Sequence, residues 1–497
     1  MSKLNKDILF VLFEEIQDDP KSLFSCLIVN RLWCETAIPI LWKNPWRYNI
    51  NYRSKNFLFN IITLSFSDDI KDFLSRQGIK LSPVSHSYRP FLFDYLSFCR
   101  SMNVNVINEI ISIGSCLAYN QFLLQQEVYN LFMRKFSELK YLDMRSIEHQ
   151  IFYFPRAMAC LDSLCELTCD TSIDSSYFYG LARICNKIEK LIIFNASPKV
   201  NRGIIKLIEV QRKLKYFEWE DDCDEFEEYF DIVDIYEETF LALAKKADTL
   251  IHFITNFQEE YEFTFPSRIL SEFHNLKTLK LNFHPIFDYS YDEQLKNSDY
   301  PNLESFQLDD ITLISTVACI IKNSGGLLRR ILVNNYDVVE DNFNEESLIL
   351  INAVYEHCPL IEYLSLAFPS SDDHFVEFEK LLTRCQKLRI LAISISNVSE
   401  KSHEQMTVDR EKLLRALIRS SSTNLREIRF FEHFRFTSET LEDFLENLRG
   451  RPALSIFTCD LGYIKEDLAE YAEIINRYKK DGVIKDFKFV DKEHMHF

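Results

Sequence analysis

A chain of 497 residues is too long for one ordinary core, so it holds several domains or a repeat array. Its 47% apolar and 27% charged residues are a folding composition, and 57 Lys and Arg against 75 Asp and Glu leave a net charge of −18, which disfavours nucleic acid as a partner. Only 9 glycines occur, with no G-x-G-x-x-G or G-x-x-x-x-G-K-[ST] to cradle a phosphate, and no run nears the ~18 apolar residues of a membrane span.

The chain opens on short helices. Asn5 is placed to cap the first, whose Ile8, Leu9, Leu12, Phe13 and Ile16 share one face. The apolar run Ile8 to Phe13 ends in Glu14 and Glu15 without a cleavage site, so it reads as structure and not as a signal peptide. Asp19 caps a second helix with Pro20 at its first position, and Leu23, Phe24, Leu27 and Ile28 form its apolar side. Pro39 is expected to end or bend a third. Residues 27–46, LIVNRLWCETAIPILWKNPW, hold three of the chain's 4 tryptophans. So small a unit cannot bury every apolar side chain within itself, so some of Leu9, Phe13, Trp33 and Trp42 are expected to face another surface.

Leu4, Asp7, Ile8, Leu9, the pair Leu12-Phe13, Ile16, Leu23, Val29, Trp33 and the final Leu41-Trp42 resemble the F-box pattern. Asn5 stands where that family often has Pro, and Asn30 where it often has Cys. The resemblance implies a three-helix F-box over residues 1–46 that docks on the Skp-type adaptor of a cullin–RING ubiquitin ligase. The adaptor-binding residues it implies are Leu4, Ile8, Leu9, Leu12 and Phe13, then Leu23 and Val29, then Trp33 and Trp42.

Residues 47–135 are expected to be a helical linker and cap. Helical spacing appears in 56–77 and 103–136, with a break at GIKLSPVSHSYRP. From residue 136 a pattern of apolar-x-x-apolar-x-apolar recurs thirteen times, from LKYLDM at 139–144 to IKDFKF at 484–489. Early intervals are close to 25 residues, enough for one strand, one helix and two turns. EESLILINAVYEHCP and DREKLLRALIRS supply such helices, while SEKSHEQMTVDR reads as a polar loop. The array, over 136–497, resembles leucine-rich repeats, and the fold class expected is α/β: a three-helix N-terminal module, a helical cap and a solenoid with a curved parallel sheet and outer helices. No unit of such an array buries its apolar edge alone, but stacked units do.

Residues flanking the fourth position of each unit alternate away from the core. Arg145, Phe194, Tyr216, Glu218, Lys280, Arg330, Tyr363, Arg429 and Phe431 are therefore the candidate substrate-binding residues, exposed aromatic and arginine side chains being natural anchors. Residues 218–238 carry many carboxylates and no Lys or Arg, and read either as a solvated insertion or as a landing site for a basic partner. The 13 cysteines include no C-x-x-C pair and read as reduced core thiols. No catalytic constellation, metal spacing or cofactor motif occurs, so neither enzyme nor cofactor is expected.

An F-box followed by leucine-rich repeats resembles the fungal-type F-box/leucine-rich-repeat family. The implied function is the substrate receptor of an SCF-type E3 ubiquitin ligase, cytoplasmic or nuclear, with the adaptor, the cullin–RING machinery and a protein substrate as partners and neither nucleic acid nor membrane. The alternative is a repeat scaffold or inhibitor unconnected with ubiquitination. Because a repeat array stabilises itself, residues 1–46 are expected to be removable without unfolding the rest.

Overall fold

The computed structural model describes residues 5–47, 52–81, 91–197, 199–222, 235–257, 267–282, 293, 295–308, 314–333, 343–396, 403–420, 422–431, 436–459 and 468–490. The chain forms two compact units, residues 1–235 and 236–497.

The first unit opens on α1 (Lys6–Glu15), α2 (Pro20–Leu27) and α3 (Arg31–Lys43). Each starts on a side-chain cap, which satisfies N–H groups the helix cannot. Asn5 accepts from the Asp7 N–H, Asp19 from those of Lys21 and Ser22, and Asn30 from that of Trp33 at 3.0 Å. Leu9, Phe13, Leu23, Ala37, Ile40 and Leu41 close a core between the three helices. Pro39 does not end α3; burial of Ile38, Ile40 and Leu41 holds the turn beyond it. Helices Tyr52–Leu64, Asp68–Arg76, Val104–Ile111 and Ala118–Lys135 follow where helical spacing places them.

The sheet of this unit is β1 (Ser101–Asn103), β2 (Tyr141–Asp143), β3 (Glu166–Asp170), β4 (Lys190–Asn195) and β5 (Tyr216–Asp221), parallel and in chain order. β1 lies inside residues 47–135, expected as a helical linker and cap, because three residues are too few to display a strand's alternation. The second unit holds β6 (His252–Asn256), β7 (Thr278–Asn282), β8 (Ser305–Leu308), β9 (Arg330–Val333), β10 (Tyr363–Pro369), β11 (Ile390–Ser396), β12 (Glu427–Phe430), β13 (Leu454–Thr458) and β14 (Ile484–Phe489), again parallel and in order. Every repeat read from the sequence falls on one of the strands β2 to β14. A helical segment follows most of them, so each unit has the α/β organisation of leucine-rich repeats.

Burial explains the pattern. In β4 and β5 the residues alternate half-buried and buried, so Leu191, Ile193, Phe217 and Trp219 pack on the helical side and their neighbours face the other way. Successive repeats also lock at the strand start, where two adjacent N–H groups share a carbonyl of the preceding repeat: Glu189 and Lys190 on Cys165, Lys215 and Tyr216 on Glu189, Glu304 and Ser305 on Lys277. SEKSHEQMTVDR differs from its reading as a loop, since helix His403–Ser420 already starts within it. Apolar positions from Leu413 onward anchor that helix and its polar first turns extend from them.

Candidate functional site

Two surfaces are available for protein contact, and the first is the N-terminal bundle. Its core is complete, yet α1 leaves Ile8 51% exposed together with Val11 and Leu12. These three lie at i, i+3 and i+4 on one helical face. A second stripe runs from α2 into α3: Phe24, Ile28 at 88% exposed, Val29 and Leu32. Contiguous apolar rows left exposed like these are the usual signature of a contact surface.

The adaptor-facing residues implied by resemblance divide accordingly. Ile8, Leu12 and Val29 are exposed, whereas Leu9, Phe13 and Leu23 form the bundle's own core and do not face outward as expected. Trp33 meets Phe13 edge-on at 5.3 Å. Trp42 is half-buried, packing against the bundle core and on Tyr95 of the short helix Tyr95–Phe98 with ring centroids 4.7 Å apart. Trp46 is buried, and its indole N–H donates to the Ser101 carbonyl at 2.8 Å. Leu4 lies outside the described residues. Sequence reading missed Val11, Phe24, Ile28 and Leu32 as surface, because α2 carries apolar residues on both its faces and spacing alone cannot say which one is covered.

The second surface is the sheet face opposite the buried rows. In the first unit Arg145, Phe194, Tyr216 and Glu218 all lie on it, half-buried. Arg145 binds Asp143 at 2.8 Å and its guanidinium lies 4.4 Å from the Phe194 ring centroid. The Tyr216 hydroxyl donates to Glu218 at 2.6 Å, and burial, then that carboxylate, pushes the phenol pKa up. Glu166, Asp170, Lys190 and Glu220 occupy the same rows and belong with them; the third, fifth and seventh positions counted from each repeat's first apolar residue are the signal for such residues.

In the second unit Lys280 and Arg330 are half-buried, and Arg330 lies over Tyr363 at 5.1 Å. The exposure expected of Tyr363, Arg429 and Phe431 does not hold. All three are buried, Arg429 to 7% and Phe431 to 1% exposed. Arg429 binds Glu427 at 2.5 Å and lies over Phe457, while Phe431 packs with Ala392, Phe457, Cys459 and Val490. Large side chains on adjacent strands of this face found one another instead of solvent. Of the acidic stretch 218–238, residues 223–234 lie outside the described residues.

The cysteines are thiols among the described residues, and burial pushes Cys185, Cys358 and Cys385 up to about 12. Among the described residues no group of three or more His, Cys, Asp or Glu is placed to hold a metal ion, and no helix is long and apolar enough to cross a membrane.

No family model and no curated protein matches the chain. Among solved structures it is similar to a chain of the yeast Rad7–Elc1 complex, at 12% identity and a TM-score of 0.37, over 90% of this chain and 92% of that one. It is also similar to the leucine-rich-repeat-containing protein LegL7 of Legionella pneumophila, at 10% identity and a TM-score of 0.28, over 71% of this chain and 94% of that one. Likenesses this low carry no argument about function.

Proposed function

We propose that the chain is the substrate-receptor subunit of an SCF-type cullin–RING ubiquitin ligase. The N-terminal bundle docks a Skp-type adaptor, and the repeats hold the protein to be modified. The chain supplies proximity and orientation, and the bond-making chemistry belongs to its partners.

One observation carries this reading: the bundle's core is closed by Leu9, Phe13, Leu23 and Leu41 while Ile8, Leu12, Phe24 and Ile28 stay in water. Together with the F-box-like order of residues, an outward apolar surface on a bundle joined to a repeat array supports docking over mere capping. Burying one such Ile contributes about 2 kcal/mol, and a carboxylate in its place must be desolvated as well.

The test is co-purification of the tagged full chain with a recombinant Skp-type adaptor. Ile8→Asp with Ile28→Asp is expected to weaken adaptor binding at least about 100-fold while circular dichroism and thermal melting stay unchanged, both sites being exposed. Leu9→Asp is expected to unfold the bundle, so its loss of binding is uninformative alone. A wild-type chain that fails to retain the adaptor sinks the reading and leaves the scaffold.

A further inference from the structure

The open face of β1 to β5 has a definite sign. Parallel register sets Tyr141, Glu166, Lys190 and Tyr216 in one row, Asp143, Thr168, Ile192 and Glu218 in the next, and Asp170, Phe194 and Glu220 in a third. Five carboxylates thus share the face with Arg145 and Lys190. Arg145 is already committed to Asp143, and the Lys190 ammonium lies 4.7 Å from the Tyr216 ring centroid. Arg47, at the rim, is held by Asp18 at 3.0 Å. At its first edge the face deepens into a cavity of about 180 Å³ whose walls include Trp46, Tyr141, Asp143 and Glu166.

The open face of the second unit is different in kind. Lys280, Arg330, Arg429 and Lys488 stand there against Glu427 and Asp486, and the face is closed around Phe431. The two faces do not suit one partner chemistry.

We propose that the open face of β1 to β5 binds a basic, extended segment of the protein the receptor holds. Lys or Arg side chains of that segment meet Glu166, Glu218 and Glu220, and their aliphatic stems lie along Ile192, Phe194 and Tyr216. This rests on the receptor reading and names the chemistry of what is held. Charge complementarity is the argument: after Arg145 and Lys190 are counted the face stays negative, and apolar positions lie between the carboxylates at the ~4.8 Å spacing of strands. Long basic side chains combine a charged head with an apolar stem, which matches that alternation. Asp222, exposed where the chain leaves β5, carries the same sign, and a field of that sign steers a basic partner in before contact.

Fluorescence anisotropy of a labelled Arg–Ser repeat peptide with the full chain tests this, with a Glu–Ser repeat peptide of equal length as control. The Arg–Ser peptide is expected to bind and to weaken as salt rises. Glu166→Gln with Glu220→Gln is expected to weaken it about tenfold, and Lys190→Glu to tighten it several-fold, a change no loss of folding produces. Equal binding of both peptides, no binding at low salt, or an unchanged affinity in the Glu166→Gln/Glu220→Gln chain overturns the proposal. Adaptor co-purification with the same variants separates the two ideas: loss of peptide with the adaptor retained supports this one, whereas a wild-type chain that binds peptide but no adaptor defeats only the receptor reading.

Discussion

Asn195 is 1% exposed and sits in a chain of polar groups that crosses three repeats. The Thr171 hydroxyl donates to its Oδ1 at 3.1 Å, and its Nδ2 donates to Asp221 Oδ1 at 2.9 Å, where the Trp219 indole N–H also arrives. Asn195→Leu keeps the volume but removes a hydrogen-bond partner from Thr171 and another from a buried carboxylate. The expected cost is about 2–4 kcal/mol, read from urea unfolding. Asp221, by sequence a member of the acidic stretch, is for the same reason a core residue; Asp221→Asn is a change of stability before it is a change of surface charge. His374 gives the pH its sign. It is buried between Ser347, 2.8 Å from Nε2, and Ser371, 2.7 Å from Nδ1, and burial holds its pKa below the ordinary 6.5. The unfolded chain therefore takes up the proton first, so this contribution is whole above about pH 6.5 and is lost as pH falls below it. Unfolding free energies at pH 7 and pH 5 are expected to converge for His374→Gln relative to wild type. A slope identical in the two proteins would show that His374 is not the group involved.

At the scale of elements, one tight approach occurs where helix Arg202–Val210 starts against helix Ser175–Ala182. A Cβ on Gly203 would stand 2.2 Å from the Ser175 carbonyl oxygen and 2.8 Å from Phe178 Cβ, and the first of these neighbours is backbone that cannot rotate away. Gly203→Ala is expected to cost about 1–3 kcal/mol by pushing the two helices apart, measured as a lower melting temperature. That contact was not legible in the sequence, where Gly203 is one more residue of an apolar helix. What was legible followed from periodicity: a repeat of thirteen apolar patterns leaves little freedom, and each became a strand. The caps Asn5 and Asp19 were equally open to reading, since each precedes an apolar run at the spacing a helix start requires. The candidate site was only half legible. Alternation says that Phe194 and Phe431 both point away from the helices, but not that Phe431 meets Ala392 and Phe457 across neighbouring strands and leaves the solvent. Likewise, spacing put Leu9 and Ile8 on one apolar face of α1, and only the packing of α2 and α3 decides that Leu9 is core and Ile8 surface.

For the molecule as a whole, a self-stabilising array implies a detachable plug, but contacts tie the end of the bundle to the start of the sheet. The Arg100 N–H donates to the Lys43 carbonyl at 2.9 Å, the Ser101 hydroxyl reaches the same oxygen, and Trp46 closes on the Ser101 carbonyl and packs 6.1 Å from Phe132. Residues 43–46 thus cover the outer edge of β1, an edge that would otherwise offer its backbone groups to water or to another chain. Deleting residues 1–46 removes that cover and Trp42, the ring against Tyr95, along with the exposed apolar rows of the bundle. The deletion is therefore expected to loosen the start of the sheet, whereas Ile8→Asp with Ile28→Asp changes only exposed positions. Amide hydrogen exchange distinguishes the two: protection at 101–103 and 141–143 should fall at least about tenfold in the deleted chain and stay at the wild-type level in the double variant. Equal protection in both would mean that β1 is held by β2 alone, and that the tryptophans of α3 and the turn after it do nothing to join the bundle to the repeats.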